Sequence, residues 1–156
     1  MEKDLRIYNG IELICDLDLN KYLGKWYEIG KLSAKEQGGL DNVTALYTLR
    51  SDKKIGVDNR GYKNGKKRGI KGLAWLRDEK CSGGLYVQFF WPFKADYNVI
   101  KLASDYRYAL VMGKSKSSLW ILSRTPKMNK KDYLEIIKFL DSQGFETSKI
   151  LKTRHS

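Results

Sequence analysis

The chain has little of the residue types on which most catalytic and metal sites depend. Its 156 residues include one histidine, His155, and two cysteines, so histidine-based acid–base chemistry, a catalytic triad and a zinc-type site have no set of candidates. No apolar run approaches the roughly 18 residues that a membrane-spanning helix needs. These shortages predict a protein that is not an enzyme, needs no cofactor or metal, and has no spanning helix.

The start of the chain is charged and contains no apolar signal core. As written, it predicts a cytoplasmic protein or one at the membrane periphery. The alternative, if a leader has been removed, is the periplasm or the outer membrane. Cys15 and Cys81 are too few for a disulfide framework, and for a chain that stays inside the cell we expect reduced thiols, with a single pairing left open.

Positive charge is the strongest bias that is present. Thirty Lys and Arg against eighteen Asp and Glu give a formal net charge of +12. This excess predicts attraction to something anionic, such as nucleic acid, a membrane surface or acidic lipids, with a merely solvated basic surface as the alternative. The length and a hydrophobic fraction of 42% favour one domain over residues 1–156 with a real core.

Two prolines against fourteen glycines favour many short strands, and eight runs rich in β-branched and aromatic residues follow one another between about residues 24 and 125. We place them near 25–33, 43–50, 54–62, 68–77, 84–91, 97–103, 107–113 and 118–124. Hairpin-length connections join them, among them Asn64-Gly65. The pattern predicts an all-β fold, an eight-stranded antiparallel up-and-down barrel, and eight is the strand number at which a closed barrel holds one small ligand.

After the last strand the hydrophobic period changes to that of a helix. Asn129 is a predicted N-cap, and Gly144 is a predicted stop. Between them, at about 130–143, the apolar positions at helical spacing are Tyr133, Ile136, Ile137 and Leu140. This one C-terminal helix is expected to pack on the outside of the barrel, and a short final strand is expected near 147–151.

Three motifs, in order, resemble those of the lipocalin family. Gly24 and Trp26 resemble its Gly-x-Trp signature, Ser104-Asp105-Tyr106 its second motif, and Ser123-Arg124 its third. Strings such as Tyr-Leu-Gly-x-Trp-Tyr-Glu-Ile and Leu-Trp-Ile-Leu-Ser-Arg-Thr resemble the group of bacterial outer-membrane lipocalins, apolipoprotein D and plant temperature-induced lipocalins. The resemblance covers about residues 10–150. It implies the binding and transport or storage of a lipophilic ligand of the fatty acid or lysophospholipid class, or a role in membrane maintenance under stress.

The resemblance also implies roles for individual residues. Trp26 seals the closed end of the barrel, and the Arg124 guanidinium packs across its indole, while Gly24 lets the neighbouring backbone come close. Since side chains alternate along a strand, Trp26, Arg124 and the family's second strand set which positions face inward, and Glu28 and Gly30 are expected to face inward with Trp26. The predicted ligand-binding positions are Glu28, Ala45, Tyr47, Asn59, Phe90, Val111 and Trp120. A filled barrel without a cavity is the alternative.

The topology gives the positive charge a predicted location. Alternate hairpins of an up-and-down barrel lie at alternate ends, so the connections after the first, third, fifth and seventh strands lie at the open mouth. They carry most of the basic turn residues and an apolar tip, and they include Lys35, Lys66, Lys67, Arg68, Trp91, Phe93 and Lys94. A basic rim with exposed aromatics suits peripheral docking to an anionic membrane.

Two rival functions are weighed against lipid binding. A basic nucleic-acid-binding barrel would need aromatics interleaved with Lys and Arg across a strand face, whereas here they fall largely on predicted inward positions, so we expect no nucleic-acid partner. A lipid-modifying enzyme of the same fold would need a nucleophile–base pair, and Glu28 is the best lone acid in the predicted cavity. A homodimer is left open.

Overall fold

The computed structural model describes residues 4–33 and 39–156, and strands account for most of its regular structure. In chain order the elements are β1 (Ile7–Tyr8), β2 (Ile11–Glu12), α1 (Leu19–Tyr22), β3 (Gly24–Leu32), β4 (Asp41–Leu49), β5 (Ile55–Lys63), β6 (Lys66–Asp78), β7 (Cys81–Phe90), β8 (Phe93–Leu102), β9 (Tyr108–Met112), β10 (Leu119–Ser123), α2 (Lys130–Ser142), a 3-10 turn (Thr147–Lys149) and β11 (Leu151–Lys152).

Strands β3 to β10 form one closed antiparallel barrel. Each pairs with the next along the chain, and β10 also pairs with β3, so the sheet returns on itself. The β5–β6 hairpin turns at Asn64 and Gly65, which both have positive φ, as a two-residue hairpin requires. The predicted eight-stranded up-and-down barrel is confirmed.

Two hydrophobic clusters lie on opposite faces of the barrel wall. One fills the closed end of the interior and includes Trp26, Tyr22 and Val99. The other covers the outer face of β8, β9 and β10 and includes Leu110 and Ile121. Strand β9 is therefore buried on both faces, which explains its uninterrupted apolar sequence.

Helix α2 covers that outer face, as expected. The Asn129 side chain accepts hydrogen bonds from the amides of Lys131 and Asp132, at 2.7 and 3.3 Å, and caps the first turn. Ile136 and Leu140 are fully buried against the outer cluster. No helix among residues 4–33 and 39–156 is long and apolar enough to cross a membrane.

The segment before the barrel contains short elements of its own. β1 and β2 form a small hairpin, and Ile11 and Leu13 are buried in the outer cluster. A disulfide joins Cys15 to Cys81 at the start of β7. The expectation of reduced thiols is thus wrong for this structure, because the segment runs along the barrel wall and brings the two residues together from 66 positions apart.

The C-terminal tail fills a gap in the barrel wall. The predicted strand at 147–151 is in fact a 3-10 turn followed by β11, which pairs with β3. β3 and β4 pair only from Gly24 to Tyr27 on the β3 side. Beyond that point the tail bridges them, since Thr153 donates to the Ile29 carbonyl on one side and Asn42 donates to the Arg154 carbonyl on the other.

A candidate ligand-binding cavity

A cation on an aromatic face seals one end of the barrel. The Arg124 guanidinium carbon lies 3.7 Å from the centroid of the fully buried Trp26 ring, and the guanidinium donates to the carbonyls of Lys21, Tyr22, Leu23 and Lys25. Gly24 has a φ of +104°, and a Cβ there would lie 3.4 Å from the Arg124 Nη1 atom. Glycine thus supplies both the backbone conformation and the space that the arginine uses.

Above this seal lies a cavity of about 570 Å³, within the usual size range of small-molecule sites. It is bordered by inward positions of the strands and by α1, and its lining is mostly apolar. The side chains include Leu23, Val43, Ala45, Ile55, Val57, Ile70, Ala74, Leu85, Val87, Phe89, Val111, Trp120 and Leu122. The filled barrel that the sequence left open does not occur.

Six of the seven predicted ligand-binding residues border this cavity. They are Glu28, Ala45, Tyr47, Asn59, Val111 and Trp120. Their placement follows from the alternation of side chains along β3, β4, β5, β9 and β10. Their contact with a ligand stays a prediction.

Phe90 is the exception, and its predicted inward orientation is wrong. Its side chain is 69% exposed, and the neighbouring Phe89 borders the cavity instead. Leu85 and Val87 also face inward, so the inward set of β7 is the odd-numbered one. A one-residue error in alternation moves every side chain to the other face, and no motif anchors the phase of this strand.

Gly30 is a second correction. It was expected inside with Trp26 and Glu28, but a Cβ on it would meet Ile150 and Ile121, which belong to the outer cluster. The pairing of β3 with β10 shifts between Glu28 and Gly30, so Ile29 is an extra residue in β3. Such a bulge reverses the alternation beyond it.

Three tyrosines that the sequence did not single out as a group meet at the base of the cavity. The hydroxyls of Tyr22 and Tyr97 are hydrogen-bonded at 2.5 Å, and Tyr97 donates to Tyr47 at 2.9 Å. The Tyr22 and Tyr47 rings stack with centroids 5.8 Å apart. Alternation along β8 could have indicated Tyr97, but Tyr22 precedes the first barrel strand and gives no periodic signal.

Glu28 is a carboxyl group buried in the cavity wall, with 7% of its surface exposed. Thr153 of the C-terminal tail donates to its Oε2 atom at 2.5 Å. Burial raises the pKa of Glu28, against the opposing effects of the Thr153 hydrogen bond and the nearby basic side chains of Lys31 and His155. The carboxyl group is therefore easier to protonate than a solvated one.

The opposite end of the cavity is open and basic. Lys66, Lys67 and Arg68 are exposed where β6 begins, and Arg68 pairs with the inward-facing Gly61, so it lies on the inner face of the mouth. Lys94 is also exposed, but its ammonium lies over the Tyr86 ring on the outer face, 3.9 Å from the centroid. Lys35 lies outside the described residues.

The turn between β7 and β8 is an exposed aromatic tip. Trp91 and Phe93 are 85% and 76% exposed, and Phe90 belongs to the same tip. These side chains lie beside the mouth, since β7 ends and β8 begins there. We call Phe90, Trp91 and Phe93 the aromatic tip.

Comparison with known proteins agrees with this geometry. A family model described as a lipocalin-like domain matches residues 17–155. The chain belongs to the lipocalin family. This lipocalin is 39% identical over 144 residues to the outer membrane lipoprotein Blc of Citrobacter freundii, covering 91% of this chain and 81% of that protein.

Two further comparisons place the protein within the family and the fold. The chain is 35% identical over 156 residues to temperature-induced lipocalin-1 of Arabidopsis thaliana, covering 94% of this chain and 83% of that protein. Insecticyanin from the tobacco hornworm Manduca sexta shares the fold with a TM-score of 0.75 at 21% identity, over 96% of this chain and 87% of that one. The resemblance drawn from the motifs is confirmed.

Lipocalins bind small hydrophobic ligands and are generally binding or transport proteins. The apolar cavity fits that role directly. Over residues 4–33 and 39–156, the structure brings no three His, Cys, Asp or Glu side chains together as a metal site. The polar side chains that border the cavity are instead spread around it, among them Glu28 in the wall, the tyrosines at the base, Asn59 on β5 and Arg68 at the mouth.

Proposed function

We propose that this lipocalin binds and carries a single-chain lipid with an anionic or zwitterionic head, of the fatty acid or lysophospholipid class. The observation that carries the proposal is the apolar cavity of about 570 Å³, closed at one end by Trp26 and Arg124 and open at the other beside Arg68. An acyl chain would remove the apolar lining from water, and the head would stay at the mouth.

Arg68 supports the orientation of the ligand with its head outward. Its guanidinium is exposed on the inner side of the mouth, where a carboxylate or phosphate can accept paired hydrogen bonds from it. Arg60 is less suited, because its guanidinium is engaged by Asp58 at 3.0 Å. A head at Arg68 would leave the acyl chain pointing toward the closed end.

Native mass spectrometry of the protein isolated from its own host tests this proposal. We expect a bound mass in the range of a fatty acid or a lysophospholipid, and displacement of a fluorescent fatty acid by the same class of lipid. The variant Ala45→Trp, which places a large ring in the cavity beside Trp26, should lose the bound mass. Leu46→Trp on the exposed outer face of the same strand is the matched control. Protein that carries no lipid and takes up none would contradict the proposal.

We further propose that the mouth docks reversibly on anionic membranes. Lys66, Lys67 and Arg68 supply positive charge beside the opening, and the aromatic tip supplies apolar surface that can enter the headgroup region. The turns at the closed end instead mix acids and bases, with Asp52, Asp78, Glu79 and Asp105 next to Lys53, Lys54, Lys80 and Arg107. The basic run without intervening acids, at the same end as the aromatic tip, would orient the open end toward the lipid surface.

We propose binding rather than catalysis as the role of the cavity. Glu28, the buried acid in its wall, is held by Thr153 of the tail. The exposed Phe and Trp side chains of the described residues are grouped at the aromatic tip rather than spread along a basic strand face, which favours a lipid surface over a nucleic acid.

A further inference from the structure

The base of the cavity contains a chain of three hydrogen-bonded hydroxyl groups, and one of their protons has no acceptor among the described residues. Tyr97 donates to Tyr47, and each hydroxyl carries a single proton, so Tyr22 donates in the contact between Tyr22 and Tyr97. The Tyr47 proton then has no acceptor among the residues that the structure describes. Tyr47 borders the cavity, so this donor is available to a molecule inside it.

The position of the chain of hydroxyls is set by the closed end. Tyr22 is the last residue of α1, and its carbonyl accepts hydrogen bonds from the Trp26 indole and from Arg124. Its ring lies 5.2 Å from the Trp26 ring and stacks on Tyr47, and Tyr97 meets Tyr47 edge-on at 6.0 Å. The hydroxyls are thus held by the same packing that seals the barrel, and the arrangement is preformed before a ligand enters.

The tyrosine end of the cavity favours an uncharged oxygen atom of a ligand over a charged one. Burial raises the pKa of Tyr47 to about 12 and those of Tyr22 and Tyr97 well above the usual value, so all three are protonated donors near neutral pH. The Arg124 charge acts on Tyr22 and Tyr97, but its guanidinium lies over the Trp26 ring and donates to four backbone carbonyls rather than to the tyrosine hydroxyls. A carboxylate at the tyrosines would be desolvated without a cation in direct contact, whereas a hydroxyl or keto group needs only the free donor.

We propose that the three tyrosines form a subsite for an uncharged oxygen at the far end of the ligand, so that the protein selects acyl chains carrying a hydroxyl or keto group near the methyl end. The inference rests on the proposed function, because it assumes a lipid in the cavity with its head at the mouth. It adds a ligand class, oxygenated fatty acids, and a reason for three buried hydroxyls that meet at the base of a mostly apolar cavity.

A matched pair of ligands tests the subsite on the unmodified protein. The affinities of palmitic acid and ω-hydroxypalmitic acid are compared by displacement of a fluorescent fatty acid. Each acid is titrated well below its critical micelle concentration. One added hydrogen bond predicts about 2- to 10-fold tighter binding of the hydroxy acid. Equal binding of the two acids, or tighter binding of palmitic acid, would overturn the subsite.

A triple variant tests whether the tyrosine hydroxyls cause the preference for the hydroxy acid. The triple change Tyr22→Phe, Tyr47→Phe and Tyr97→Phe keeps the rings and removes all three hydroxyls together, so none is left without a partner. It should bind palmitic acid at least as well as before and lose the preference for the hydroxy acid. Tyr62→Phe, on an exposed position of β5, is the control and should keep the preference. A triple variant that keeps the full preference would place the selecting group elsewhere.

The two levels of the proposal fail in different ways. If palmitic acid binds and the hydroxy acid gains nothing, the cavity is a lipid site and the tyrosine subsite is refuted. If neither acid displaces the fluorescent probe, the proposed ligand class itself is refuted. The ligand pair needs no mutation, so it decides the question even if the triple variant does not fold.

Discussion

At the scale of the residue, Glu28 shows how the barrel changes the chemistry of one side chain. It lies two positions after Trp26 on the inner face of β3, where a tail residue covers it. His155 Nε2 donates to the Glu28 backbone carbonyl at 2.7 Å, so the tail contacts both the backbone and the side chain. Burial of the carboxyl group disfavours its charged form, and this penalty makes stability depend on pH.

The Glu28→Gln variant should be more stable than the parent at neutral pH. The folded-state pKa of Glu28 is raised, so its contribution to stability is fully present below the unfolded-state value and is lost as pH rises through the folded-state value. Glutamine keeps an acceptor for Thr153 and has no charge to bury. We expect a gain on the order of 1 kcal/mol at pH 7 that shrinks toward pH 4, measured by urea unfolding of both proteins at each pH.

Glu135→Gln serves as the control for that comparison, because Glu135 is exposed on α2. The Glu135→Gln change should have little effect on the free energy of unfolding at either pH 7 or pH 4. If Glu28→Gln were less stable than the parent at pH 7, the charged carboxylate would be making a favourable interaction, and the account of Glu28 as a group penalised by burial would be wrong.

At the scale of the element, the N-terminal segment is tied to the barrel by one covalent link and a few hydrogen bonds. Ile14 donates to the Val99 carbonyl of β8, and Ser82 of β7 donates to the Cys15 carbonyl. The disulfide closes a loop across 66 positions that contains β3 to β6. A cross-link of this span restricts the unfolded chain much more than the folded one.

The Cys15→Ser, Cys81→Ser double variant should lose about 2–4 kcal/mol of unfolding free energy. Urea unfolding with and without a reductant measures this loss. The reductant should lower the midpoint of the parent toward that of the double variant and leave the double variant unchanged, which makes the variant its own control. A parent midpoint that does not respond to complete reduction would show that the link adds nothing to stability.

At the scale of the whole molecule, the closed barrel separates three kinds of surface. The interior is apolar, the outer face of β8 to β10 is covered by α2 and the N-terminal hairpin, and the mouth combines basic residues with the aromatic tip. Closure also assigns every hairpin to one of two ends. The basic run Lys66, Lys67 and Arg68 thereby lies at the same end of the barrel as the aromatic tip.

The proposed docking predicts sedimentation with anionic vesicles and not with neutral ones. Salt should weaken the binding by screening, and Lys66→Glu, Lys67→Glu, Arg68→Glu should weaken it by about 1 kcal/mol or more for each cation removed. The control is Lys127→Glu, Lys130→Glu, Lys131→Glu, which makes the same change in net charge at the closed end. Equal binding to neutral vesicles, or an equal loss in the control, would rule out docking through the mouth.

Much of the architecture could be predicted from local patterns. The eight strands lie within a few residues of their predicted positions, and Asn129 and Gly144 bound the helix as expected. Turn residues and hydrophobic period act over a few neighbouring positions, so one sequence contains their signal. The inward positions next to an anchoring motif, such as Glu28 beside Trp26, could be predicted for the same reason.

The errors arose where a contact joins distant parts of the chain or where alternation changes phase. Phe90 was assigned to the wrong face because no motif sets which residues of β7 point inward. Gly30 was assigned to the wrong face because a bulge at Ile29 reverses the alternation of side chains along β3. The disulfide and the contact between Thr153 and Glu28 join residues 66 and 125 positions apart, and neither leaves a local pattern.

The sequence by itself determined the eight barrel strands and the C-terminal helix, because their signals lie in short stretches of the chain. Its motifs also indicated the family, and the resemblance implied the seal between Trp26 and Arg124. The tertiary structure alone decided which hydroxyls meet at the base of the cavity, which carboxyl group the tail covers and which aromatic side chains are exposed at the mouth. Those outcomes depend on closure of the barrel, which brings residues of α1, β4 and β8 together. They also depend on the register of each strand, which is fixed by its pairing with neighbouring strands and decides which face each side chain lies on.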